Sequence, residues 1–259
     1  MPITYTFQQD DCPSFGGASL SNARIPTILA MDDYVRSRND ENITGRDIQI
    51  NIEHDEGDTR SIISVMRKLN FINLPERSGI SASHFYTNFG EAYIHILRAL
   101  QELEKSQNLL SVAYNATLRS LQLILQEGIW YHYNTTEKTR LGIYVVLNLI
   151  GKTKTLSFNE YCFALSESII NGGYFDFESI TKAILMNREN NIVYTFRKKR
   201  LSNERGNLGE RIESEVEDFN SVLQSTREIL QQAGILEEDT TDCILRDSSF
   251  LIKHNLPYE

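Results

Sequence analysis

The chain has 259 residues, of which 41% are apolar and 24% charged, and carries a formal net charge of -9. That length allows two or three small domains with buried cores, and the composition is that of an ordinary soluble globular protein. No apolar run approaches the length of a membrane span, and the acidic balance argues against unspecific coating of nucleic acid.

Residues 1–24 lack periodicity. Pro13, Gly16 and Gly17 break any pattern, and the polar start has neither the basic nor the apolar region of a secretory leader, so an irregular arm is expected. Pro26 opens a helix to about Arg36 with Ile28, Leu29, Met31, Tyr34 and Val35 as its apolar positions. A short helix from Thr44 or Gly45 follows, then an acidic turn around Glu53–Asp58. A helix over Thr59–Asn70 places Ile62, Val65, Met66 and Leu69 on one stripe, with Asp58 as N-cap and Arg60, Ser64, Arg67 and Lys68 off that stripe. Two short strands, Phe71–Leu74 and Ala82–Thr87, are expected around Pro75-Glu76-Arg77-Ser78-Gly79. From Phe89 a helix runs to about Ser106, and another covers Leu109–Ile129. The polar turn between them predicts a helical hairpin, closed by Trp130-Tyr131-His132-Tyr133. The run Leu141–Ile150 is a buried helix or a strand, which periodicity does not separate. Ser157 caps a helix to about Ile170, Phe177–Asn187 is helical, and Ile192–Phe196 is a strand entering Arg197-Lys198-Lys199-Arg200. Ser202–Gly209 has the composition of a mobile loop. The last segment repeats an earlier order: a helix over Glu210–Gln232, a stop at Ala233-Gly234, then strand-like Ile235-Leu236 and Cys243-Ile244-Leu245 around an acidic turn.

Three stretches carry a resemblance: ISVMRKLNFINL (Ile63 to Leu74), FYTNFGEAY (Phe85 to Tyr93) and STREILQQAGILEE (Ser225 to Glu238). They resemble the winged helix-turn-helix superfamily over about a third of the chain. The resemblance implies a mainly α fold, with α+β character in the wings, in which two winged-helix-like units flank a helical middle. The expected organisation is an arm (1–24), a first winged-helix-like domain (25–107), the helical middle (108–205) and a C-terminal winged-helix-like unit (206–259). Tandem units of this kind are similar to accessory proteins of bacterial phage-defence and restriction systems, an analogy at the level of fold.

Catalytic motifs are missing. No lysine has an acidic residue or glutamine two positions before it, as a PD-(D/E)xK nuclease requires. Gly151-Lys152-Thr153 has Val146 where a phosphate-binding loop needs glycine. The five histidines are dispersed, so neither a metal nor another cofactor is expected. Cys12, Cys162 and Cys243 are too few and too scattered for a disulfide scaffold and fit a reducing cytoplasm, with Cys162 a core residue. The candidate nucleic-acid contacts are Arg60, Ser64, Arg67, Lys68 and Arg77, with Arg197, Lys198, Lys199 and Arg200 as a second basic cluster. Against them stand the carboxylates of Glu53–Asp58 and Glu237–Asp239. The expectation is therefore a non-enzymatic adaptor or scaffold subunit that docks on other proteins, with a reader of duplex DNA as the alternative; neither a membrane nor a small-molecule ligand is expected.

Overall fold

The computed structural model describes residues 3–5, 20, 22–52, 56–135, 142–170, 174–196 and 223–258, and they are mainly helical with a few two-stranded pairings. Contacts divide the chain into two compact units: residues 16–135 with 228–233, and residues 1–15 with 136–227 and 234–259. This differs from the four segments read along the sequence. The long helix after residue 108 packs on the helix before it, and the C-terminal strand pairs with a strand near residue 155, so neither the middle nor the C-terminal segment stands alone.

The chain opens with strand β1 (Ile3–Tyr5), part of the second unit, where the sequence suggested only an irregular arm. In the first unit, α1 (Ile25–Ser37) starts on Pro26 and buries Ile28, Leu29, Met31 and Val35. It is followed by β2 (Asn42–Ile43) and α2 (Gly45–Asn51). A reciprocal capping box starts α2: the Asp47 N–H donates to Thr44 Oγ1 at 3.2 Å, and the Thr44 N–H donates to the Asp47 carboxylate at 2.8 Å. Helix α3 (Glu56–Lys68) buries the expected stripe completely: Ile62, Val65, Met66 and Leu69 are each at most 1% exposed. It begins at Glu56, so Asp58 lies within the first turn and is not the N-cap.

After α3 the chain reverses at Asn70 (φ 59°). The expected strand pair is smaller and placed differently. Only Ile72 bridges Tyr86, while β3 (Ile80–Ser81) pairs antiparallel with β2, and Ala82–His84 is a 3-10 turn. The reason is local. The Asn73 side-chain amide donates to the carbonyls of His84 and Tyr86, at 3.0 and 3.2 Å, in the place where a longer ladder would run.

Thr87 caps α4 (Asn88–Lys105), accepting from the Gly90 N–H at 3.0 Å and donating to the Asn70 carbonyl at 2.6 Å. A Cβ at position 90 would overlap the Phe71 carbonyl oxygen, so glycine is required there. Buried Asp32 ties α1 to α4, accepting from Arg36 Nε at 2.8 Å and from Arg98 Nε at 3.1 Å. Helix α5 (Val112–Thr135) packs along α4 as expected and absorbs the Trp130–Tyr133 aromatics into its last turns.

In the second unit the ambiguous apolar run is a helix, α6 (Gly142–Thr153), buried on nearly every side. Then come β4 (Thr155–Leu156), α7 (Phe158–Ile170), α8 (Phe177–Glu189) and β5 (Tyr194–Phe196), which pairs parallel with β1. Arg188 fastens α8 to its neighbours: it holds the Glu160 carboxylate at 2.7 and 2.9 Å and the carbonyls of Thr153 and Thr155 at 2.9 and 2.7 Å. Residues 223–232 form α9, of which residues 228–232 belong to the first unit, and it ends as expected at Ala233 and Gly234 (φ 71°). Leu236 bridges Leu245, β6 (Cys243–Ile244) pairs antiparallel with β4, and α10 (Ser249–Lys253) follows. The expected helix start at Glu210 and the mobile loop at Ser202–Gly209 fall outside the described residues.

The two halves of the chain share one hydrogen-bonding plan. In each, a helix leads into a two-residue strand, then into a helix with a Ser/Thr–acid capping box: Thr44 with Asp47, and Ser157 with Glu160. In each, a later helix ends at a positive-φ residue, Asn70 or Gly234. The strand after the following turn pairs back on the first strand, β3 on β2 and β6 on β4. The flanking bonds match as well: Asn73 N–H to Phe85 O and Glu237 N–H to Ile244 O are both 2.8 Å. Residues 171–222, which include α8 and β5, separate the second from the third helix in the later copy.

Candidate docking groove

Three elements of the first unit enclose a groove of about 880 Å³. Helix α2 supplies Arg46, Gln49 and Ile50; α3 supplies Arg60, Ile63, Ser64 and Arg67; the turn after it supplies Pro75, Glu76, Arg77 and Ser78. Local sequence explains the arrangement. The capping box fixes where α2 starts, so Arg46, Gln49 and Ile50 fall on one side at helical spacing. Burial of the Ile62–Leu69 stripe turns Arg60, Ser64 and Arg67 to the opposite side of α3.

Four of the five residues expected to act together from the α3 region line this groove: Arg60, Ser64, Arg67 and Arg77. Arg67, expected to be a free donor, is engaged. Its Nε donates to the Leu74 carbonyl at 2.7 Å and its Nη2 to the Pro75 carbonyl at 3.4 Å, while Nη1 stands 3.8 Å from the Glu76 carboxylate. It pins the turn to the helix. Lys68 does not line the groove. Burial pushes its ammonium below the usual lysine range, against the pull of Glu76, and its charge is felt at buried His132 on α5. The His132 imidazole is pushed down to about 4, by burial first and by Lys68 second. Arg197, Lys198, Lys199 and Arg200 lie outside the described residues, as does the acidic turn at Glu53–Asp55.

Among the described residues, exposed Arg46, Arg60 and Arg77 form no ion pair, and Glu76 is the only carboxylate that lines the groove. The lining between these cations is mixed: Ile50, 62% exposed, and Pro75 share it with Gln49 and Ser64, while Ile63 is buried. Arg46, Gln49 and Ile50 were not anticipated. The signal was present, since Thr44-x-x-Asp47 marks the helix start that sets their phase.

Gly151-Lys152-Thr153 is the last turn of α6, with Gly151 packed against the Pro257 carbonyl, so it forms no loop around a phosphate. Cys162 and Cys243 are buried, and burial pushes the Cys243 thiol up to about 12. Among the described residues no group of histidine, cysteine or carboxylate side chains could hold a metal, and no helix is long and apolar enough to cross a membrane. Comparison with protein-family models, with curated proteins and with solved structures finds no match to this chain.

Proposed function

We propose that the chain is a non-enzymatic adaptor made of two winged-helix units, the first of which docks a partner protein in the groove between α2, α3 and the wing at residues 75–78. The winged-helix reading is supported by the order of helix, strand, two helices, bridged turn and returning strand, present once in residues 25–87 and again, split by residues 171–222, in residues 142–246. The setting suggested by the superfamily resemblance is a subunit of a defence or restriction assembly.

One observation carries the docking role. The face of α3 that a DNA reader would push into a major groove is the floor of a recess, with α2 on one side and the turn pinned by Arg67 on the other. A recess accepts something that projects, such as a peptide segment or a partner helix. The net charge of -9 weakens unspecific binding of long duplex DNA along the rest of the surface.

The alternative, duplex DNA, is favoured by Arg46, Arg60 and Arg77 sharing one face with Gln49 and Ser64. A fluorescence-anisotropy titration against a random-sequence duplex pool separates the two. The adaptor reading expects weak binding that vanishes at moderate salt. A discrete sequence retained at physiological salt, and lost on Arg60→Ala, refutes it.

A further inference from the structure

We infer that the partner segment is acidic with an apolar anchor: an aliphatic or aromatic side chain seated on exposed Ile50 and Pro75, with carboxylates on either side reaching Arg46, Arg60 and Arg77. This rests on the docking reading above and names the chemistry of its partner.

The argument is one of complementarity. Among the described lining residues four arginines face one glutamate, on a chain whose overall charge is -9, so these residues make a cationic patch on an anionic protein. An acidic segment is drawn to this patch and repelled elsewhere, which fixes where it lands as well as how tightly it is held. Arginine is suited to this task because its planar fork takes a carboxylate through two parallel hydrogen bonds. Charge does not account for Ile50. A large aliphatic side chain left 62% exposed among arginines gains free energy only when an apolar group covers it. The recess of about 880 Å³ has room for a projecting side chain and the residues on either side of it. Arg67 contributes differently: with its donors directed at Leu74, Pro75 and Glu76, it holds the far wall in place and leaves Arg46, Arg60 and Arg77 to meet the partner.

The test is selection of randomised short peptides displayed against the full chain, with a random duplex DNA pool selected in parallel. The enriched peptides should carry Asp or Glu on both sides of a Leu, Ile, Val or Phe. Synthesised and titrated, the best of them should lose about tenfold or more in affinity on Arg60→Ala, on Arg77→Ala and on Ile50→Asp. Arg119→Ala, an exposed arginine on α5 outside the groove, should change nothing. Enriched peptides that lack the acidic bias, or that bind the three groove variants as well as the parent, overturn this inference and leave the docking reading standing. Enrichment of a discrete duplex with no peptide overturns both. Enrichment of neither pool overturns the acidic-segment inference.

Discussion

Arg67→Ala removes the side chain whose hydrogen bonds to the Leu74 and Pro75 carbonyls tie the turn at residues 75–78 to α3. The bond to the Leu74 carbonyl is short, 2.7 Å, and Leu74 is 1% exposed, so deleting the donor leaves a carbonyl that water reaches poorly. A hydrogen bond from a charged donor in such a place is worth about 1.5–3 kcal/mol. The 3.4 Å contact to Pro75 and the Glu76 pair, whose carboxylate side is 78% exposed, together add less than about 1 kcal/mol. The substitution should therefore cost about 2–3 kcal/mol. Arg60→Ala, one turn of helix and more away on the same face, should stay within about 0.5 kcal/mol. Arg67→Lys should recover only part of the loss, because an ammonium does not span two carbonyls as a guanidinium does. Urea denaturation followed through Trp130, the only tryptophan and a residue of the same unit, measures all three. If Arg67→Ala proves as mild as Arg60→Ala, the wall of the groove is not held in the way described.

Further outcomes can be checked with the same apparatus. Met66→Ala and Leu69→Ala, both 0% exposed, should each cost about 2–5 kcal/mol. Gly90→Ala should cost about 1–3 kcal/mol or more, since the new methyl group meets the Phe71 carbonyl and not a side chain that could turn away. Acidification should destabilise the first unit through His132. Its pKa falls from 6.5 when unfolded to about 4 when folded, so its contribution is full above pH 6.5 and is lost as pH drops towards 4, about 3 kcal/mol in all. In the variant His132→Gln that part of the pH dependence should disappear; if the slope between pH 6.5 and 4 is unchanged, another group is responsible. Purified protein should neither hydrolyse ATP nor cleave DNA with magnesium, and turnover abolished by a point substitution in this chain would refute the adaptor reading.

Periodicity made the helices legible. The stripe Ile62, Val65, Met66 and Leu69 is buried as a sequence pattern requires, because a 3.6-residue repeat has only one way to place four apolar side chains together. Two helix starts were legible for a similar reason, since Thr44 and Ser157 satisfy N–H groups only a few residues away, whereas Asp58, read as a cap, lies inside α3. From these the opposite face of α3, with Arg60, Ser64 and Arg67, followed directly.

Pairing between distant residues was not legible. The sequence placed a strand at Ala82–Thr87 beside Phe71–Leu74, but the strand that forms is Ile80–Ser81 and its partner is Asn42–Ile43. Two-residue strands carry too little alternation to announce themselves, and Ile3–Tyr5 was missed for that reason. The second copy of the plan was half hidden because residues 171–222 divide it, so its capping box at Ser157 and its returning strand at Cys243 lie more than eighty residues apart. The role of Arg67 was hidden too. On a helical wheel it is one more cation beside Arg60, and only the path of the turn brings the Leu74 and Pro75 carbonyls to its guanidinium. Arg227 does the same in the second unit, donating to the Thr241 carbonyl of the turn before β6. The sequence by itself determined which face each helix buries and where most helices begin and end, because those depend on neighbours within a turn or two. Only the tertiary structure decided which strands meet, which arginines are occupied in holding a turn and which are left exposed in the groove. Those outcomes depend on hydrogen-bond acceptors that reach the side chain only once the chain has folded back on itself.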